Sequence, residues 1–275
     1  MLLLARKHTA VFITLITLLT VISYNSLPVN HGFAPRGNPP SSQTPSIRCF
    51  IYDRPPRTAS TTIGTALQSC LRRHHFRQPP REKQRSAIPY TIFDNLQTPR
   101  KALLSRHFYL NSRTVSLLRK RCSTLFYITS CAPIEERLLS ASKYTLSGGH
   151  GNSTLDDQQM HAAAEKANSS TRQKRFLNHY PYVDDDKKPI NVSTPLVPNY
   201  VIRKPHLRQD LTKLLQTLQC DTSFVSGNVH RAPADESQIL QHITAGDDTL
   251  YQTLARRALS HNALGLQQLK QFIFT

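Results

Sequence analysis

Acidic residues are scarce in this chain. Its 275 residues hold 17 Asp and Glu against 35 Lys and Arg, which leaves a formal charge of +18 and a pI near 10.1. That balance points to polyanionic partners: nucleic acid, anionic membrane or acidic polysaccharide. Apolar residues are also thin for a globular enzyme, at 39%. Glycine is limited to 9 residues while proline reaches 18, a mix that favours long irregular segments. No Gly-x-x-x-x-Gly-Lys run occurs, which excludes a Walker phosphate loop. The 5 cysteines (Cys49, Cys70, Cys122, Cys131, Cys220) show no Cys-x-x-Cys or Cys/His zinc spacing, and no internal repeat or heptad run appears. In an oxidising compartment they allow one or two disulfides with one thiol left over, the pairing being open. The triplet Asp184-Asp185-Asp186 lacks the glycine turn and regular spacing of a calcium loop, so no metal site is expected.

What is present begins at the N-terminus. Arg6 and Lys7 precede an uncharged run from Thr9 to Ser23. The run is short against the roughly 17–25 residues of a membrane span, and reaches that length with His8 and Tyr24. The positive flank places the N-terminal end in the cytosol. A cleaved signal peptide is the competing reading, but no Ala-x-Ala-like site follows Ser23. Residues 1–24 are therefore expected to form a cytosolic tip and signal anchor. Residues 25–45, rich in Pro, Ser, Asn and Gly, would form a stem, and 46–275 the luminal domain. Three sequons, at Asn152, Asn168 and Asn191, agree with a luminal glycoprotein. Either N-terminal reading delivers the remainder to the secretory lumen, which removes nucleic acid from the expected partners.

The domain opens with Ile47 to Tyr52, which suits a strand entering a core, ended by Pro55 and Pro56. Ser60, Thr61 and Thr62 can then cap a helix whose apolar positions are Ile63, Ala66, Leu67 and Leu71. A helix N-terminus of this kind favours an anion, and Arg57 with the hydroxyls adds donors. An ordinary cap after a surface turn accounts for the same residues. The basic stretch from Arg72 to Arg85 reads as a solvated loop or as a landing strip for an anionic glycan. A second strand is expected at Tyr90–Phe93 and a short helix start at 99–104. Leu125–Ser130 reads as a buried parallel strand leading into a Pro133-started helix with Glu135 and Glu136 in its first turn. Residues 146–198 read as a variable insertion, largely loop, with an Ala-rich helical piece near Met160–Ala167. Tyr200–Ile202 reads as a strand. His206–Leu218 reads as a helix with Leu207, Leu211, Leu214, Leu215 and Leu218 on one face.

Pro56-Arg57-Thr58-Ala59-Ser60-Thr61 resembles the Pro-Lys-Thr-Ala-Ser-Thr loop of the Golgi membrane-bound carbohydrate sulfotransferases, most closely the heparan sulfate 2-O-sulfotransferase type. In that family the loop holds the 5′-phosphosulfate end of PAPS. Pro133, Ile134, Glu135, Arg137, Leu138 and Ser140 resemble the helix half of the second PAPS signature. His107, with Tyr109-Leu110-Asn111 behind it, resembles the family's base. Leu207 and Asp210 match a later strand–loop–helix, and Ile243 to Gln252 resembles a closing helix. Two positions depart: the family's Lys is Arg57 here, and its Arg-Asp pair is Cys131-Ala132.

The resemblance covers most of residues 46–254. It implies an α/β domain with a P-loop-like parallel sheet, helices on both faces and a cofactor at the C-terminal strand ends. It implies a single-pass type II Golgi protein that moves a sulfuryl group from PAPS to a hydroxyl of a glycan acceptor, glycosaminoglycans included. His107 would be the base and Arg57 a catalytic cation. Arg57, Thr58, Ala59, Ser60, Thr61 and Thr62 would hold the 5′ end, Ser140 and Arg137 the 3′-phosphate, without metal. A catalytically inactive relative that binds anionic glycans is the alternative. A secreted basic protein of unrelated ancestry is a third.

Overall fold

Four short runs of aromatic, β-branched and small apolar residues line up as one parallel sheet: β1 (Ile47–Tyr52), β2 (Lys101–Ser105), β3 (Cys122–Cys131) and β4 (Tyr200–Arg203), in the order β2-β1-β3-β4. The computed structural model describes residues 47–78, 101–105, 110, 112–148, 156–170, 196–223, 234–244 and 249–274. The expected anchor (1–24), stem (25–45), Tyr90–Phe93 strand, His107 and acidic triplet lie outside those residues. Among the described ones, no helix is long and apolar enough to cross a membrane.

Side chains alternate across the sheet. Phe50, Tyr52, Phe126 and Ile128 turn to one face, where they meet helices α1 (Ser60–Arg73) and α5 (Leu207–Thr217) and the end of α7 (Thr249–Phe274). Cys49, Ile51, Ala102, Leu104 and Tyr127 turn to the other, against Val115 and Leu118 of α2 (Ser112–Arg121). The protein is thus α/β, with a parallel sheet flanked by helices, as the sequence implies. Every leucine expected on the apolar stripe of α5 is buried. On the first face, Phe50, Phe76, Phe126 and Phe272 form an aromatic cluster with ring centroids 5.4–6.3 Å apart.

One expectation here needs correction. The segment read as a helix start at 99–104 is strand β2: Leu103 packs on one face and Ala102 and Leu104 on the other, an alternation no helix makes. The helical piece expected near Met160–Ala167 is α4 (Asp157–Ser169), which packs Met160, Ala163, Ala164 and Ala167 against α3 (Ile134–Leu146) and α6 (Ala234–Gln241). Asp156 and Gln159 close a reciprocal capping box at its start. Of the three sequons, Asn168 is described, and both ends of its amide are engaged, with the His242 carbonyl and the Thr244 N–H.

Helix α7 covers the exposed edge of β4. The Asn262 side-chain amide accepts from Val201 N–H (3.0 Å) and donates to Val201 C=O (2.8 Å), as a neighbouring strand would. Gly265 permits that approach, since a Cβ there would overlap the Asn199 carbonyl. Two disulfides, Cys49–Cys122 and Cys70–Cys220, tie β1 to β3 and α1 to the segment after α5; Cys131 is the buried free thiol.

A candidate anion cradle at the switch point of the sheet

The chain leaves β1 for β2 on one side of it and then crosses to β3 on the other. In such sheets the crevice lies above the C-terminal strand ends at this reversal, here between β1 and β3. The loop from Asp53 to Ala59 fills its floor and delivers the chain to α1.

Two buried networks hold the loop to β3. Asp53 is fully buried and accepts from Tyr127 Oη–H and Thr129 Oγ1–H, each at 2.9 Å. Burial pushes its carboxyl up from 3.8 to about 7, against the pull of those two donors and of Arg137. On the other face a chain of hydroxyls runs in one direction. Thr58 Oγ1 donates to the Pro55 carbonyl (2.8 Å), so its lone pair receives Ser130 Oγ–H (2.6 Å), and Ser130 in turn accepts from Tyr52 Oη–H (2.9 Å). Burial raises the Tyr52 phenol far above its usual range, which keeps it a donor.

These ties impose an unusual backbone. Arg54, Arg57 and Ala59 take φ of 48°, 64° and 59°, the left-handed region that non-glycine residues avoid and that clusters at ligand sites. Ala59 is the N-cap of α1 and has no side chain to cap with. The expected capping by Ser60, Thr61 and Thr62 does not occur, because those residues lie inside the first turn. Helices α3, α4 and α5 each carry an acidic residue in their first turn, whereas α1, like α2 and α7, has none. Its N-terminal N–H groups and positive dipole end thus have no acidic partner within the helix's own first turn.

The segment expected to form the second half of the site meets this loop. Arg137 of α3 is buried and donates Nε–H to the Pro56 carbonyl at 3.2 Å. The Arg57 guanidinium lies 3.9 Å from the centre of the Tyr144 ring, two turns further along α3. Partial burial lowers the Arg57 pKa. Ser140 sits between Arg137 and Tyr144 on the same stripe, half-buried.

Thr58 spends its hydroxyl on the floor of the loop, and Ser60 is buried, while Thr61 is exposed and Thr62 half-exposed. Arg137 holds the loop from below. His107 lies outside the described residues. Cys131, where the resembled family has Arg, is buried at the end of β3. Its register partner on β4 is Arg203, whose fork is held by Asp210 through Nε (2.9 Å) and Nη2 (2.8 Å). Asp210 thus serves an ion pair. Asp53, Tyr127, Ser130 and Tyr144 are parts of the site that the sequence does not single out. A carboxylate directly after a strand and before a Pro-Pro turn is the one available signal.

The arrangement can bind a dianionic group at the mouth of α1 with backbone N–H groups, Thr61, Thr62 and one guanidinium. Compared with known protein families, curated proteins and solved structures, the chain matches none.

Proposed function

We propose that the protein is a PAPS-dependent carbohydrate O-sulfotransferase with a P-loop-like fold, held in the Golgi membrane as a type II protein. The observation that carries this reading is the open N-terminus of α1. It is uncapped, free of acidic residues, fed by a loop of the phosphosulfate-motif sequence, and touched by the helix of the second motif. The two disulfides suit an oxidising secretory lumen.

PAPS would supply an activated sulfuryl group. The residues fit its 5′ end: the N–H groups of the first turn of α1, Thr61, Thr62 and Arg57 are donors for its oxygens. They fit its 3′-phosphate less well, because Cys131 brings no charge and Arg203 is committed to Asp210. Arg57 and the α1 dipole stabilise negative charge that develops at the cradle. Arg57 keeps its proton at neutral pH, so it acts as a fixed charge rather than an acid. His107 takes the proton of the acceptor hydroxyl as general base.

The same two departures favour a second reading, a relative without catalysis that binds anionic glycans. Isothermal titration of the purified full chain with PAP separates them. Uptake at sub-millimolar concentration is expected, and Arg57→Ala should weaken it about ten- to a hundredfold, the loss of one charge-assisted contact. Absence of binding would leave the second reading. Labelled-sulfate transfer to glycan acceptors should also fall in His107→Ala; unchanged turnover there would reject His107 as the base.

A further inference from the structure

A second set of cations lies at the end of the sheet away from the cradle. Residues 54–78 and 101–134 contain no Asp or Glu. Helices α1 and α2 lie on opposite faces of the sheet and run back toward the N-terminal strand ends. Each finishes there in basic residues, Arg72 and Arg73 on α1, Arg119, Lys120 and Arg121 on α2. The C-terminal end of a helix favours cations by its dipole alone. That does not account for the residues between the two ends. Arg77 pairs with the start of β2 through an isolated bridge to Ala102, and Lys101 opens β2 beside it. The result is a belt around one rim, from Arg72 and Arg73 through Arg77 and Lys101 to Arg119 and Lys120. All but the half-buried Lys101 are exposed. Asp221, exposed beside Arg73, is one acidic residue whose charge couples to the belt. Strand β1 has 6 residues, so this rim lies roughly 20 Å from the cradle.

We infer that this belt is a docking surface for a sulfated or carboxylated polysaccharide chain, separate from the cradle. Linear charge along a flexible polymer matches a belt of cations that follows a rim across two faces. Two disulfides place the fold in an oxidising compartment, away from nucleic acid. A bilayer-docking face carries apolar groups to insert. Phe274, an exposed large hydrophobic, lies near this rim, but it is engaged edge-on with His74.

The test is binding of a size-defined heparin oligosaccharide to the full chain in neutral detergent, without nucleotide. It is thus independent of the sulfotransferase reading. At near-physiological salt, Arg72→Glu/Arg73→Glu and Arg119→Glu/Lys120→Glu should each weaken binding about tenfold or more, with steep salt dependence. Arg208→Glu, exposed in the first turn of α5 at the other end, should change it less than about threefold. Equal losses at Arg208, or no loss at the belt, would overturn the inference. So would anionic phosphatidylserine vesicles or duplex DNA whose binding depends on the belt while oligosaccharide binding does not. Unchanged thermal unfolding of the variants shows that folding is not the cause.

Discussion

At the root of the loop, Asp53 carries a charge that its surroundings oppose. Its carboxyl is raised in the fold, so the protonated form is the one folding favours. The stability it contributes is fully present below about 3.8 and is lost as pH rises through about 7. Asp53→Asn keeps the shape and removes the titration. Its thermal unfolding midpoint should therefore vary less between pH 4 and pH 7.5 than that of the wild type, with the variant relatively favoured at the upper end. A parallel pH dependence in both proteins would show that Asp53 does not titrate in this window. None of this is legible in the residue order, where Asp53 is one polar residue before a turn. Its partners Tyr127 and Thr129 are brought to it by strand register. Arg57 and the hydroxyls of the loop were legible as donors. Which of them faces inward was not, since Thr58 turns to Ser130 only because β3 lies beside β1.

Among the elements, α5 was the most legible, because its leucines repeat with one period against one partner. Helix α7 was not. Its buried positions include Ala258 and Gly265 between Leu254 and Leu269, residues too small to mark a stripe, and it serves two core clusters in turn. Strand β2 was misread because Lys, Ala and Leu are good helix formers; its place between β1 and the Arg77 bridge overrides that preference. Asn262→Ala should leave the Val201 N–H and C=O without partners, at about 1–3 kcal/mol for each buried group. Urea denaturation with an unchanged m-value would register that loss. Gly265→Ala should destabilise by about 1–3 kcal/mol through overpacking on Asn199. A neutral result at both positions would mean that α7 is not seated on the edge of β4.

For the molecule as a whole, the two crosslinks span 73 and 150 residues, long loops whose closure removes much freedom from the unfolded chain. Cys70→Ser/Cys220→Ser should lower stability by about 2–5 kcal/mol, seen as a reduced midpoint in calorimetry under non-reducing conditions. If the midpoint holds, the bridge is absent in solution. Most strand positions followed from hydrophobic runs, the α/β class from the resemblance, and the cysteine count left room for two bridges. Pairing could not follow, because partners distant in sequence meet only once the sheet has formed.

The bridge at Cys70 has a mechanical side. Three residues of the loop sit in the left-handed region, directly before α1. Cys70 is in the last turn of that helix and is bolted to Cys220, while Cys49–Cys122 staples β1 to β3 toward their N-terminal ends, away from the loop. The loop is thus slung between two elements, β1 and α1, each covalently anchored toward the end away from it.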